Sequence, residues 1–177
     1  MDAIADAGTV WGPMERVDGR WVLGDARKPD GSWVELRPDG LFRHAPAVED
    51  ELVPWARIMI GPRLYIGRGL PREGNVTLDG LLNGVPPFKG RGRGHLDMTL
   101  RHPYEDHRLT FHLHARGYST AEVTLLDLLF TTAVADGRAA RLGDADWLGR
   151  VVARLPRPAP WEERRMREAV TAALGTE

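Results

Sequence analysis

The chain changes its hydropathic period once, near residue 118, and that switch does most to limit what it can fold into. Before it, apolar residues alternate in short runs bounded by turn residues. After it, they recur every three to four positions. The first pattern belongs to strands with one buried face, the second to helices lying on a core. RWVLGDAR (20–27) and SWVEL (32–36) flank KPDG, and RPDG leads on into LFRH. Both turns carry Asp-Gly, a strong hairpin signal because Gly accepts positive φ without steric cost. ELVPWARIMI (51–60), LYIGRG (64–69) and NVTLD (75–79) follow, and HLDMTLR and HRLTFHLHAR make the last and clearest pair. That is roughly seven to eight strands at hairpin spacing, which predicts an antiparallel barrel or sandwich.

The helical part is well marked. Ser119 and Glu122 have capping-box spacing ahead of VTLLDLLFTTAVA, which is apolar on nearly every side and so predicts a helix with little exposed face. Asp144 can cap DWLGRVVARL. PRPAP then breaks the chain before WEERRMREAVTAAL, where Pro160 suits a first helical position. The expected fold class is therefore α+β, with two to three C-terminal helices after the strands. Residues 1–18 read as a flexible tail and 19–177 as one domain: 19–118 barrel or sandwich, 119–155 packed helices, and 160–177 a peripheral helix.

Composition excludes several activities. The chain has 177 residues, no cysteine and a net charge of −1. Disulfides, zinc ribbons and thiol nucleophiles are thereby absent, and no global field draws it to nucleic acid. No run reaches the roughly 20 apolar residues that cross a bilayer, and the start lacks a basic, apolar leader. A cytoplasmic protein is expected. Arginine outnumbers lysine 22 to 2, which we read as the codon bias of a GC-rich genome.

Five of the six histidines fall within residues 95–115. Alternation places Leu96, Met98 and Leu100 on one face of the first strand, and Leu109, Phe111 and Leu113 on the matching face of the second. Pairing Leu100 with Leu109 would set Asp97 opposite His112 and His95 opposite His114, with Cβ atoms about 5 Å apart. His95, Asp97, His112 and His114 would then form a square able to hold zinc or a similar divalent metal. The competing reading, which the residues favour, is the solvated face of an antiparallel sheet with no cofactor.

KGRGRGH (89–95) sets Lys89, Arg91 and Arg93 among glycines, a basic segment that could close on a phosphate. It matches neither a dinucleotide fingerprint nor a P-loop, and the residues favour a flexible, solvated hairpin tip. Ser32 and Ser119, the two serines, lie in a turn and a cap and not in a nucleophile elbow. Trp21, Trp33, Trp55 and Trp147 fall in apolar patterns and are expected in the core. Trp11 and Trp161 adjoin segments expected to be mobile and are candidates for packing on a partner.

Within VELRPDGLFRHAPAVEDELVPWARIMI (34–60), Asp39, Gly40, Leu41, Pro54, Trp55 and Ile58 resemble the strand, D-G-L hairpin, loop and Pro-Trp-x-x-Ile strand of bacterial pleckstrin-homology-like domains. The resemblance implies a late helix, here 120–135, closing one end of a barrel, and a non-catalytic module that docks peptides, proteins or lipid headgroups. The function expected is thus binding or scaffolding through a protein or peptide partner, with contacts from loop 80–94, the face around His112 and His114, and the last helix. Self-association through that helix is a further expectation. The alternative is a metal-binding protein or metal-dependent enzyme built on the His/Asp square.

Overall fold

A computed structural model describes residues 10–46, 48–67, 92–156 and 163–175. Among these the fold is α+β, with nine strands, all paired antiparallel, followed by three α-helices. β1 (Val10–Trp11), β2 (Met14–Val17), β3 (Arg20–Leu23), β4 (Trp33–Arg37), β5 (Gly40–His44) and β6 (Glu51–Pro54) form one meandering sheet. β7 (Ile58–Ile66), β8 (Arg93–Leu100) and β9 (Glu105–His112) form a second. The expected continuous run 51–60 divides at Trp55–Arg57, a single 3₁₀ turn, and there the chain passes between sheets. These strands make two sheets and not one continuously paired ring. Residues 75–79, expected as a strand, lie outside the described residues.

The sheet begins earlier than the sequence suggested. Residues 10–17, assigned to a flexible tail, supply two strands, and Met14 and Trp11 are buried. The connection from β2 to β3 is Asp18-Gly19, with φ of 48° and 76°. Positive φ at both positions is what a two-residue type I′ hairpin requires. Trp11 faces inward, its indole N–H donating to the Glu122 carbonyl at 3.2 Å.

The β8–β9 register also differs from expectation. Leu96 pairs with Leu109, Met98 with His107 and Leu100 with Glu105, so the turn is the four residues 101–104. Buried Leu96, Met98, Leu100, Leu109 and Phe111 keep their predicted faces. The strands have slipped by an even number of residues, which preserves the face of every side chain while changing every partner.

α1 (Thr120–Ala135) starts at Ser119 with both arms of the capping box made. It lies between β7 and α3 (Glu163–Gly175), which explains its all-round apolar sequence. α2 (Ala145–Arg154) is capped by Asp144, whose carboxylate accepts from the amides of Asp146 and Trp147. Its start is tied to β3 by the Trp21 indole, which donates to the Ala145 carbonyl at 2.9 Å. α3 was expected to be peripheral, yet Met166, Val170, Ala173 and Leu174 are buried in the same apolar cluster as both sheets and α1. No helix among the described residues is long and apolar enough to cross a membrane.

Candidate functional site

The register decides the fate of the predicted square. Asp97 pairs with Arg108, not His112, and His95 pairs with Thr110, not His114. Arg108 grips Asp97 through two bonds of 2.6 and 2.8 Å, a fork that leaves this carboxylate little capacity for a metal. His95 stacks on Tyr65 (centroids 5.0 Å apart), and burial, with the Arg108 charge, lowers its pKa against the pull of Asp97. His112 accepts the Ser32 N–H on Nδ1 at 2.8 Å, and His114 turns into the interior. Among the described residues no three His, Cys, Asp or Glu side chains come together as a metal would need. Of the basic segment, Arg93 opens β8 opposite His112, while Lys89 and Arg91 lie outside the described residues.

His114 belongs to a buried polar chain that the sequence did not reveal. Its backbone N–H donates to the Tyr118 hydroxyl at 2.7 Å, and that hydroxyl lies 2.6 Å from the His114 Nδ1. The oxygen already accepts one proton, so its own proton goes to Nδ1, and the neutral ring carries its hydrogen on Nε2. Nε2 lies 3.2 Å from Glu15 Oε1 yet closes no well-aligned hydrogen bond, so the contact is electrostatic. Glu15 is held in turn by Arg27 at 2.9 Å. Burial, then the Arg116 charge, lowers the His114 pKa despite Glu15, and burial pushes Tyr118 up to about 12. Three side chains that are at most 5% exposed are closed to ligands, so this network holds the β2, β3 and β9 ends together.

The open chemistry lies elsewhere, at the end of β4 and β5. Trp33 and His44 are cross-strand partners whose rings stack 3.7 Å apart at 15°. Behind them Glu35, buried in the sheet, accepts from His44 Nε2 at 2.9 Å and pairs with Arg37 at 3.1 Å. Burial would raise the Glu35 pKa, but hydrogen bonds from His44 and Arg37 and the charges of Arg37 and Arg20 outweigh it and lower the value. A fixed carboxylate holds the imidazole with Nδ1 bare in its neutral form. Trp33, expected in the core, is half-buried instead. It and His44 wall an open cleft of about 520 Å³, with Lys28, Pro29, Pro46 and Asp50 around them. The sequence offered one clue: Trp33 and His44 sit at matching ends of a D-G hairpin, on the face opposite Val34 and Leu41.

A second cavity of about 530 Å³ opens on the outer face of β7–β9. Its polar groups are already engaged: Asp97 pairs with Arg108 and Arg63 with Asp127, Asp106 accepts the Thr99 hydroxyl, and His107 lies against Glu51. Paired groups have little left to offer a ligand. Ser32 and His112 approach within 3.2 Å, but the Ser32 N–H occupies the Nδ1 lone pair that a nucleophile would need. No family model, curated protein or solved structure matches the chain.

Proposed function

We propose that the protein is a non-catalytic binding module that docks a protein or peptide segment in the cleft between the β3–β4 and β5–β6 connections. The observation that carries this reading is the stacked Trp33–His44 pair, half-exposed and fixed from behind by Glu35. A rigid aromatic wall loses little side-chain entropy when a ligand arrives, which is how aromatic anchors come to dominate binding energy. Pro29 and Pro46 extend that wall, Val48 stands exposed at its rim, and Lys28 and Asp50 supply one charge of each sign. The pleckstrin-homology-like resemblance of residues 34–60, which include His44 and the β5–β6 connection, agrees with a docking role. Both serines are engaged in structure, Ser32 at His112 and Ser119 in its cap, which favours binding over acyl-transfer chemistry.

Selection of peptides from a displayed random library, followed by amide and side-chain NMR mapping, tests the reading. Selected peptides should shift the Trp33 indole and the His44 ring, and Trp33→Ala should weaken them at least tenfold, a loss of about 1.4 kcal/mol or more. Shifts confined to another face, or affinity unchanged in Trp33→Ala, would reject it.

A further inference from the structure

The turn between β3 and β4 is fastened to one residue of the other sheet. The Asp25 N–H donates to the His112 carbonyl at 3.0 Å, and the His112 N–H donates to the Ser32 carbonyl at 2.8 Å. The Ser32 N–H then donates to His112 Nδ1. Because Nδ1 accepts a backbone proton, the neutral ring carries its hydrogen on Nε2, a donor whose direction the backbone has set. Arg93 is the cross-strand partner of His112, so both side chains rise from one face with Cβ atoms about 5 Å apart. Lys28 sits inside the fastened turn, and its charge and that of Arg93 both act on the imidazole.

These two cations stand apart from their neighbours. Among the described residues neither Lys28 nor Arg93 forms an ion pair, whereas the adjacent Arg27 and Arg108 are each held by a carboxylate. The nearby acids are otherwise placed. Asp25 accepts the Arg27 N–H at 3.1 Å, Asp97 is gripped by Arg108, and Asp30 lies exposed without reaching either cation. Among the described residues no carboxylate therefore holds Lys28 or Arg93.

We propose that Lys28, Arg93 and the His112 Nε2–H form a binding site for the phosphate-monoester group of a soluble ligand. Lys28 also lines the Trp33–His44 cleft. This inference rests on the binding-module reading, since Lys28 is shared by both. Three donors arriving from a turn and two strands suit a tetrahedral dianion; a planar carboxylate is satisfied by one guanidinium fork. Beside Arg93 on the same face, His95 stacks on half-exposed Tyr65, with Thr110 opposite. That platform suits a phosphate esterified to a ring.

Inorganic phosphate and phenyl phosphate, titrated into the full chain while the His112 and His44 ring resonances are followed by NMR, test the site. A saturable shift at His112 is expected, with Nδ1 keeping the signature of an acceptor nitrogen. Affinity should fall roughly tenfold in Arg93→Ala and in Lys28→Ala, each removing one charge-assisted donor at an exposed position. No saturable His112 shift, or affinity unchanged in both variants, overturns the proposal. Binding seen only on phosphatidylcholine vesicles containing phosphatidic acid overturns it too, because the ligand would then be a membrane. Trp33→Ala separates the two readings: it should weaken peptide docking at least tenfold and leave the phosphate shift intact. Peptide shifts at Trp33 and His44 without any phosphate response refute this inference alone.

Discussion

Replacing Tyr118 by Phe should cost far more than one lost oxygen suggests. The ring is fully buried and would stay so, which makes the change nearly silent for packing. What disappears is the hydroxyl that accepts the His114 N–H and satisfies the His114 Nδ1. Neither atom has access to water, since His114 is only 5% exposed. A buried polar group left without a partner costs about 1–3 kcal/mol. Two such groups, partly relieved by relaxation, imply a loss of about 2–4 kcal/mol, a large part of the roughly 5–15 kcal/mol that holds a domain together. Urea denaturation at neutral pH reads this as a lower midpoint with unchanged slope. A loss below about 0.5 kcal/mol, the range of ordinary surface substitutions, would show that His114 finds another partner and that the chain of bonds is not structural.

Stability should also fall on mild acidification. His95, His112 and His114 all have pKa values lowered from 6.5 in the folded state, so the unfolded chain binds more protons as pH drops below that value. Urea midpoints should therefore decline from neutral pH toward pH 5, and a rise would contradict the buried, neutral histidines. Ending the chain at Pro156 removes buried Met166, Val170 and Leu174, worth roughly 1.5–3 kcal/mol each, and uncovers one side of α1. Circular dichroism should show no cooperative thermal transition; one close to that of the full chain would place α3 outside the core. At Asp127, whose Oδ1 accepts the Leu64 N–H at 2.8 Å, Ala should cost about 1–3 kcal/mol. Asn, which keeps an acceptor, should cost less than Ala in the same denaturation assay, and the reverse order would refute the role of this hydrogen bond.

Patterns that depend on nearest neighbours were legible in the sequence. Ser119 and Glu122 form the capping box their spacing announces, Asp144 caps α2, and Leu96 through Phe111 face as alternation requires. Register was not legible, because alternation fixes only whether a shift is odd or even, and the metal square depended on the exact partner. Glu15 fell in the segment read as a tail, and Glu35 read as an ordinary polar strand position. Their burial comes from Arg27, His114 and His44, partners brought in by topology. The hairpin at Val17-Asp18-Gly19-Arg20 carried a legible signal, yet its short flanking strands made it resemble a tail. In α3, Met166, Val170 and Leu174 repeat every four residues, but a surrounding of arginine and glutamate concealed how completely α1 covers them.

Among the described residues β7 is paired on one side only, to β8. A strand so placed offers a row of unmatched amides and carbonyls on its other side, a template on which another molecule's strand can grow. This one would be an inviting template, since Met59, Ile60 and Tyr65 are exposed along it. α1 packs against β7, and Asp127 engages the Leu64 N–H there. Burial raises the Asp127 pKa against the pull of that N–H and of Arg63, so ionising this carboxylate works against folding at neutral pH. In return the helix covers this edge at Leu64, where another molecule's strand would otherwise pair.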